Sequence, residues 1–184
     1  MLDQENKAKG MKFRRAGDLM VPLDRYPHLP YWFTLRQAVV AMLSSEVDVR
    51  GRKSLPRVVL VFDEEYSLLG FVRRRDILRG LEPAVLANVD VGESGEVLEQ
   101  QLARLFDDAN YEGATTGIRE RAEKAVRTVM QPIVATADCE DHMMKLVLKM
   151  VSHDLHLLPV LRDGSVVGVV RTVDIFEELA QYVL

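Results

Sequence analysis

The residues of this chain best suited to chemistry come as two matched sets. Asp76 stands three positions after Arg73, at the end of the apolar run 68–72, and Asp174 stands three after Arg171, at the end of 166–170. A carboxylate where a strand gives way to a helix has two uses. It can accept the free backbone N–H groups of the first helical turn and meet the positive end of the helix dipole. It can also accept from both hydroxyls of a vicinal diol, because an ionised carboxylate only accepts. The arginine three residues earlier offers a planar fork able to clamp a phosphate through two parallel hydrogen bonds, or it can fill space or turn to solvent. Thr172 adds a hydroxyl to the second set, His156 stands at the start of the preceding apolar run, and Arg57 holds the matching place before the first set. Phe71 and Val169 are apolar residues of the runs themselves. His153, Asp154 and His156 have metal-ligand types, but no second cluster accompanies them and Cys139 is the single cysteine, so a structural role is expected.

The matching extends well beyond these residues. Gly70 and Gly168 are separated by 98 positions, as are Asp76 and Asp174. Leu35, Ala38, Val39 and Met42 form an apolar stripe at i, i+3, i+4, i+7, and Met143, Leu146, Val147 and Met150 repeat it 108 positions later. Asp18-Leu19-Met20-Val21-Pro22 recurs as Thr128-Val129-Met130-Gln131-Pro132, offset by 110. Each copy reads as a Met-x-Pro lead-in, an amphipathic helix (34–43 or 141–151), a strand (58–62 or 157–161), a turn, a return strand (68–72 or 166–170) and a second helix opened by the aspartate. Asp163-Gly164 between apolar runs is a strong hairpin signal. The nearly all-apolar return strands predict strands covered on both faces. The fold class is α/β (α+β), a tandem of β-α-β-β-α repeats over residues 13–80 and 123–184, after a tail at 1–12. The shrinking offset makes the first copy longer, and residues 47–56 read as a charged surface loop. Residues 81–122 form a long connection with a helical stripe at Leu98, Leu102, Leu105 and Phe106, expected to dock on the repeats or on a partner.

Across its 184 residues the chain is 48% apolar and 28% charged, as globular proteins are. A formal charge of −4 argues against nucleic acid as the default partner, and the local basic cluster Arg50, Arg52, Lys53, Arg57, Arg73, Arg74, Arg75 and Arg79 reads as a solvated loop and face. The polar amino-terminal residues lack a signal-peptide core, no run approaches the ~20 apolar residues of a membrane span, and a cytoplasmic protein is expected. No nucleophile set, P-loop or Rossmann glycine pattern is present, so no enzyme is expected.

The ordered pair of repeats resembles a known family. HLLPVLRDGSVVGVVRTVDIFEEL at 156–179, and GDLM, the helix from Thr34 and LLGFVRRRDILRGL in the first copy, are similar to the CBS domain, and the two together resemble a Bateman module. The resemblance implies a pseudo-twofold pair with a cleft that takes an adenine nucleotide (AMP, ADP or ATP) or sometimes S-adenosylmethionine, a homodimer, and a signal passed to an effector protein in trans. It implies that Asp174 and Asp76 hold ribose hydroxyls and that His156 lies near phosphate, with Arg57 in the matching place. Phe71 and Val169 would wall the base. The family usually has Ser or Thr where this chain has Arg171 and Arg73; these are expected to serve phosphates, with Thr172 one position late. The second copy, which keeps His156, Pro159 and Thr172, is expected to be the better site. The alternative is an assembly module without a small ligand.

Overall fold

The structure, a computed structural model, describes residues 13–49, 51–82 and 116–184. In chain order the elements are α1 (Ala16–Leu19), β1 (Val21–Pro22), β2 (His28–Pro30), α2 (Leu35–Ser44), β3 (Val47–Val49), β4 (Arg52–Ser54), β5 (Val58–Phe62), β6 (Leu68–Arg73), α3 (Arg74–Leu81), β7 (Gln131–Pro132), β8 (Ala137–Asp138), α4 (Met143–Ser152), β9 (Leu157–Arg162), β10 (Ser165–Arg171) and α5 (Thr172–Val183). Residues 116–122 are helical, and a 3₁₀ turn spans Val126–Thr128. The stripe at 98–106 lies outside the described residues.

The chain forms two compact units. The central unit takes Pro27–Glu46 and the described part of Ser54–Pro132; the terminal unit takes the described residues up to Tyr26, Val47–Lys53 and Ile133–Leu184. Each unit has a four-stranded sheet, β2-β5-β6-β7 in the central one and β1-β10-β9-β8 in the terminal one. The inner hairpins are antiparallel, while β2 on β5 and β8 on β9 are parallel.

The lead-in strands are exchanged between the repeats. β1 opens the first repeat but pairs with β10 of the second, and β7 opens the second but pairs with β6 of the first. This crossing accounts for the repeated glycine. A Cβ at Gly168 would lie 2.5 Å from the Val21 carbonyl oxygen, and one at Gly70 would lie 2.4 Å from that of Gln131. Only a residue without a side chain lets the exchanged strand approach.

Local chemistry sets the helix starts. Thr34 caps α2: its hydroxyl accepts from the Gln37 N–H at 3.2 Å, and the Gln37 side chain accepts from the Thr34 N–H at 2.8 Å. His142 caps α4, its Nδ1 accepting from the Met144 N–H at 3.3 Å. The stripes face inward. Leu35, Ala38 and Met42 join Val59, Val61, Val72, Ile77 and Val126 in the central core. Met143, Leu146 and Met150 join Leu158, Val160, Val170 and Ile175 in the terminal one. Asp163 and Gly164 both take positive φ, at 51° and 80°, as the tight hairpin requires. The segment 47–56 differs from the expected plain loop. It folds into the two-stranded β3–β4 ribbon, with Gly51 at φ 80° between the strands. Alternating Val47 and Val49 supply a strand pattern that the surrounding charges obscured.

Candidate functional site

At both strand-to-helix junctions the aspartate is taken by its own arginine. Asp76 Oδ2 accepts from the Arg73 backbone N–H at 2.9 Å and from Arg73 Nε at 2.8 Å, while Oδ1 accepts from Nη2 at 2.9 Å. Asp174 repeats the arrangement with Arg171 at 3.0, 2.9 and 2.6 Å. A third, partial version opens α1, where Asp18 Oδ2 accepts from the Arg15 N–H at 3.1 Å. The carboxylate sits in the first helical turn, where it satisfies an orphan donor and suits the dipole, and the arginine fork then neutralises it. Both Asp76 and Asp174 are buried. Burial alone pushes the Asp76 carboxyl up, but the hydrogen bonds and charge of Arg73 outweigh it and hold the group below the usual carboxylate range.

The remaining expected residues gather around these junctions in matched pairs. The Thr172 N–H donates to the His156 carbonyl at 3.0 Å, and the Arg74 N–H donates to that of Arg57 at 3.2 Å. The side chains of His156, Thr172 and Arg57 are exposed. Phe71 is half-buried, with Arg73 Cζ 5.6 Å from its ring centre. Val169 is fully buried, in register between Val21 and Pro159.

A cavity of about 780 Å³ opens in the central unit beside Asp76. Arg79, Arg121, Lys124 and Arg127 line it together with Gly80 and the segment Thr128–Gln131. The chain from 124 to 128 is pinned against the start of α2: the Leu35 N–H donates to the Lys124 carbonyl at 2.9 Å, and the Val126 N–H donates to that of Phe33 at 2.6 Å. Gly80 permits this closeness, since a Cβ there would meet Val129 at 2.7 Å and Leu35 at 2.8 Å. Of the expected site residues Asp76 alone lines the cavity, with Arg79 drawn from the basic cluster. Arg121, Lys124 and Arg127 went unnoticed in the sequence because Glu120 and Glu123 alternate with them. The 110-residue offset, carried back from Met130, is the signal that marks this stretch as the lead-in to a repeat.

The terminal unit treats the corresponding positions differently. At the offset of 98, Glu177 and Glu178 stand for Arg79 and Gly80; at the offset of 110, Arg14 stands for Lys124. Glu178 is buried and pairs with Arg14, Nε to Oε1 at 3.2 Å. Tyr26 is buried too, and its phenol is pushed up by burial while Arg171 pulls it down and Asp174 pushes it further up. The cavity described above accompanies Asp76, whereas near Asp174 the corresponding positions hold the buried Glu178, paired with Arg14, and the buried Tyr26.

Two sheets of matching strand order, each completed by the lead-in strand of the other repeat, define the fold. Residues 126–181 match the family model for the CBS domain. The CBS domain of a CBS domain containing membrane protein from Sphaerobacter thermophilus is similar over 96% of this chain and 94% of its own, at 21% identity and a TM-score of 0.62. CBSX2 in complex with AMP is similar over 93% and 99%, at 16% identity and 0.59. The cytosolic domain of the Mg2+ channel MgtE in complex with ATP is similar over 89% and 48%, at 18% identity and 0.56. No curated protein matches the chain. The chain has the fold of a CBS pair, and its second repeat matches the CBS-domain model.

Proposed function

We propose that this chain is a regulatory module that senses an adenine nucleotide and passes the signal to an effector protein in trans, without catalysis of its own. The observation that carries the reading is the basic cavity beside Asp76, in a fold whose solved examples include complexes with AMP and with ATP. In this reading Asp76 receives the ribose. Arg73 occupies three of the roughly four acceptor positions of the carboxylate, so one hydroxyl can be held directly and a second needs Arg73 to move toward the phosphate. The cytoplasm, where such nucleotides are plentiful, is the compartment this function requires, and no described helix is long and apolar enough to cross a membrane.

A homodimer belongs to the same proposal. Val40 and Leu43 on α2, Met144, Leu148 and Val151 on α4, and Val173 and Phe176 on α5 are exposed, mostly at helical spacing. Stripes of this kind on helices whose other face is already in the core fit a second copy.

Isothermal titration of the chain with adenosine, AMP, ADP and ATP tests the reading. Saturable binding that needs the adenosine moiety is the expected result. A flat titration with all four at millimolar concentration would overturn it and favour the second reading, an assembly module in which the Arg–Asp pairs are purely structural. The geometry that favours this alternative is the completeness of the Arg171–Asp174 pair and the burial around it.

A further inference from the structure

We infer that the cavity beside Asp76 takes the polyphosphate chain of its ligand, two or more phosphates in a row, through Arg79, Lys124 and Arg127. The inference rests on the nucleotide reading above and narrows its ligand from adenine nucleotides in general to di- and triphosphates. Four cations line the cavity against a single carboxylate, Asp76, which Arg73 already neutralises. The nearest acidic neighbour in sequence, Glu123, does not line the cavity and is engaged by Arg36 through Nε at 2.6 Å. Arg121 is oriented by donating to the Glu82 carbonyl at the end of α3. Arg127 lies against the Tyr31 ring, 5.7 Å from its centre. Arg79 and Lys124 make no side-chain ion pair among the described residues. One phosphate at neutral pH carries less than two charges, so a monophosphate leaves most of this positive charge uncompensated. A chain of phosphates spreads charge over the distance that separate cations can span.

The terminal unit is an internal control. The same repeat positions there carry Glu177 for Arg79, Glu178 for Gly80, and for Lys124 an Arg14 already paired with Glu178, so a free cation pair beside a glycine is not an obligatory part of the fold. A glutamate in place of Gly80 would also fill the space, as Glu178 does. Charge and volume therefore changed together at one of the two sites, in the direction an extended anion requires.

The experiment is isothermal titration of the full chain, without divalent cations, using adenosine, AMP, ADP, ATP and inorganic tripolyphosphate. Each is run on the wild type and on Lys124→Ala, Lys124→Glu and Arg127→Gln. ADP and ATP are expected to bind at least about tenfold tighter than AMP. Lys124→Ala should weaken ATP by about tenfold and Lys124→Glu by more, while adenosine is unchanged. Lys124 makes no side-chain ion pair among the described residues, and the unfolding midpoint of each variant is measured alongside. ATP that binds no tighter than AMP, with both unaffected by Lys124→Glu, overturns the inference and leaves the nucleotide reading standing. Tripolyphosphate binding as tightly as ATP, with adenosine silent, supports the cation cluster and overturns the nucleotide reading instead. Failure of both ATP and tripolyphosphate at millimolar concentration overturns the inference outright.

Discussion

Truncating Asp174 to alanine should destabilise the chain by about 3 kcal/mol, and the structure says why. Asp174 accepts three hydrogen bonds from one arginine, and the side chains are 4% and 13% exposed. Exposed ion pairs contribute roughly 0–1 kcal/mol, whereas removing one member of a buried pair costs about 3–5 kcal/mol because the other charge is stranded. The Arg171–Asp174 pair lies near the buried end of that range. At Asp76 the arginine is 25% exposed, so water can compensate it and about 2 kcal/mol is expected. Among the described residues Asp18 accepts a backbone N–H from exposed Arg15 and no side-chain donor, and Asp18→Ala should cost about 1 kcal/mol or less, the value of a cap. Urea unfolding of the three variants, with free energies extrapolated to water, reads the series directly. Arg171→Ala combined with Asp174→Ala should cost less than the two single changes summed, because no orphan guanidinium remains. Equal losses for Asp174→Ala and Asp18→Ala, or strict additivity in the double variant, would refute the account of the junction as a neutralised, buried cap.

Other consequences are equally open to measurement. Burial opposes ionisation at Asp76 and Asp141, but Arg73 at the first, and Lys145, the Asp138 N–H and Lys149 at the second, hold both carboxyls below their ordinary range. Their contribution to stability is therefore complete above the unfolded value of about 3.9 and is lost as pH falls through the lower folded values. Unfolding midpoints from pH 7 to pH 2 should show this loss, with Asp76→Asn flattening the acid limb; stability that rises below pH 4 would contradict it. Gly168→Ala should destabilise by about 1–3 kcal/mol, since the new methyl cannot coexist with the Val21 carbonyl at 2.5 Å. An unchanged thermal midpoint would mean that β1 is not held where it is described. Leu148→Asp, on an exposed α4 position, should leave the fold intact and shift the sedimentation mass from twice 20.9 kDa to that value; a wild type already at 20.9 kDa at micromolar concentration would remove the homodimer.

Period and punctuation made much of this architecture legible before any coordinates. The 3.6-residue stripes at Leu35–Met42 and Met143–Met150 can bury themselves in only one way, and Asp163-Gly164 admits little besides a hairpin, so these elements follow from local physics. The duplication of glycine and aspartate at an offset of 98 was visible too. Its meaning was not. Gly168 and Gly70 are glycine because a strand from the other repeat crosses them, and no local pattern reports which strand will pair with which. The type of Asp174 and Asp76 announced a cap or a ligand contact with equal force. Only tertiary packing decided that Arg171 and Arg73 close on them as ion pairs, because the fork's direction depends on what covers the junction. The basic cavity was decided in the same way. Lys124 and Arg127 are remote from Arg79 in sequence and interspersed with glutamates, and they become one site when the segment before β7 is pinned against α2 and Gly80 lets it approach.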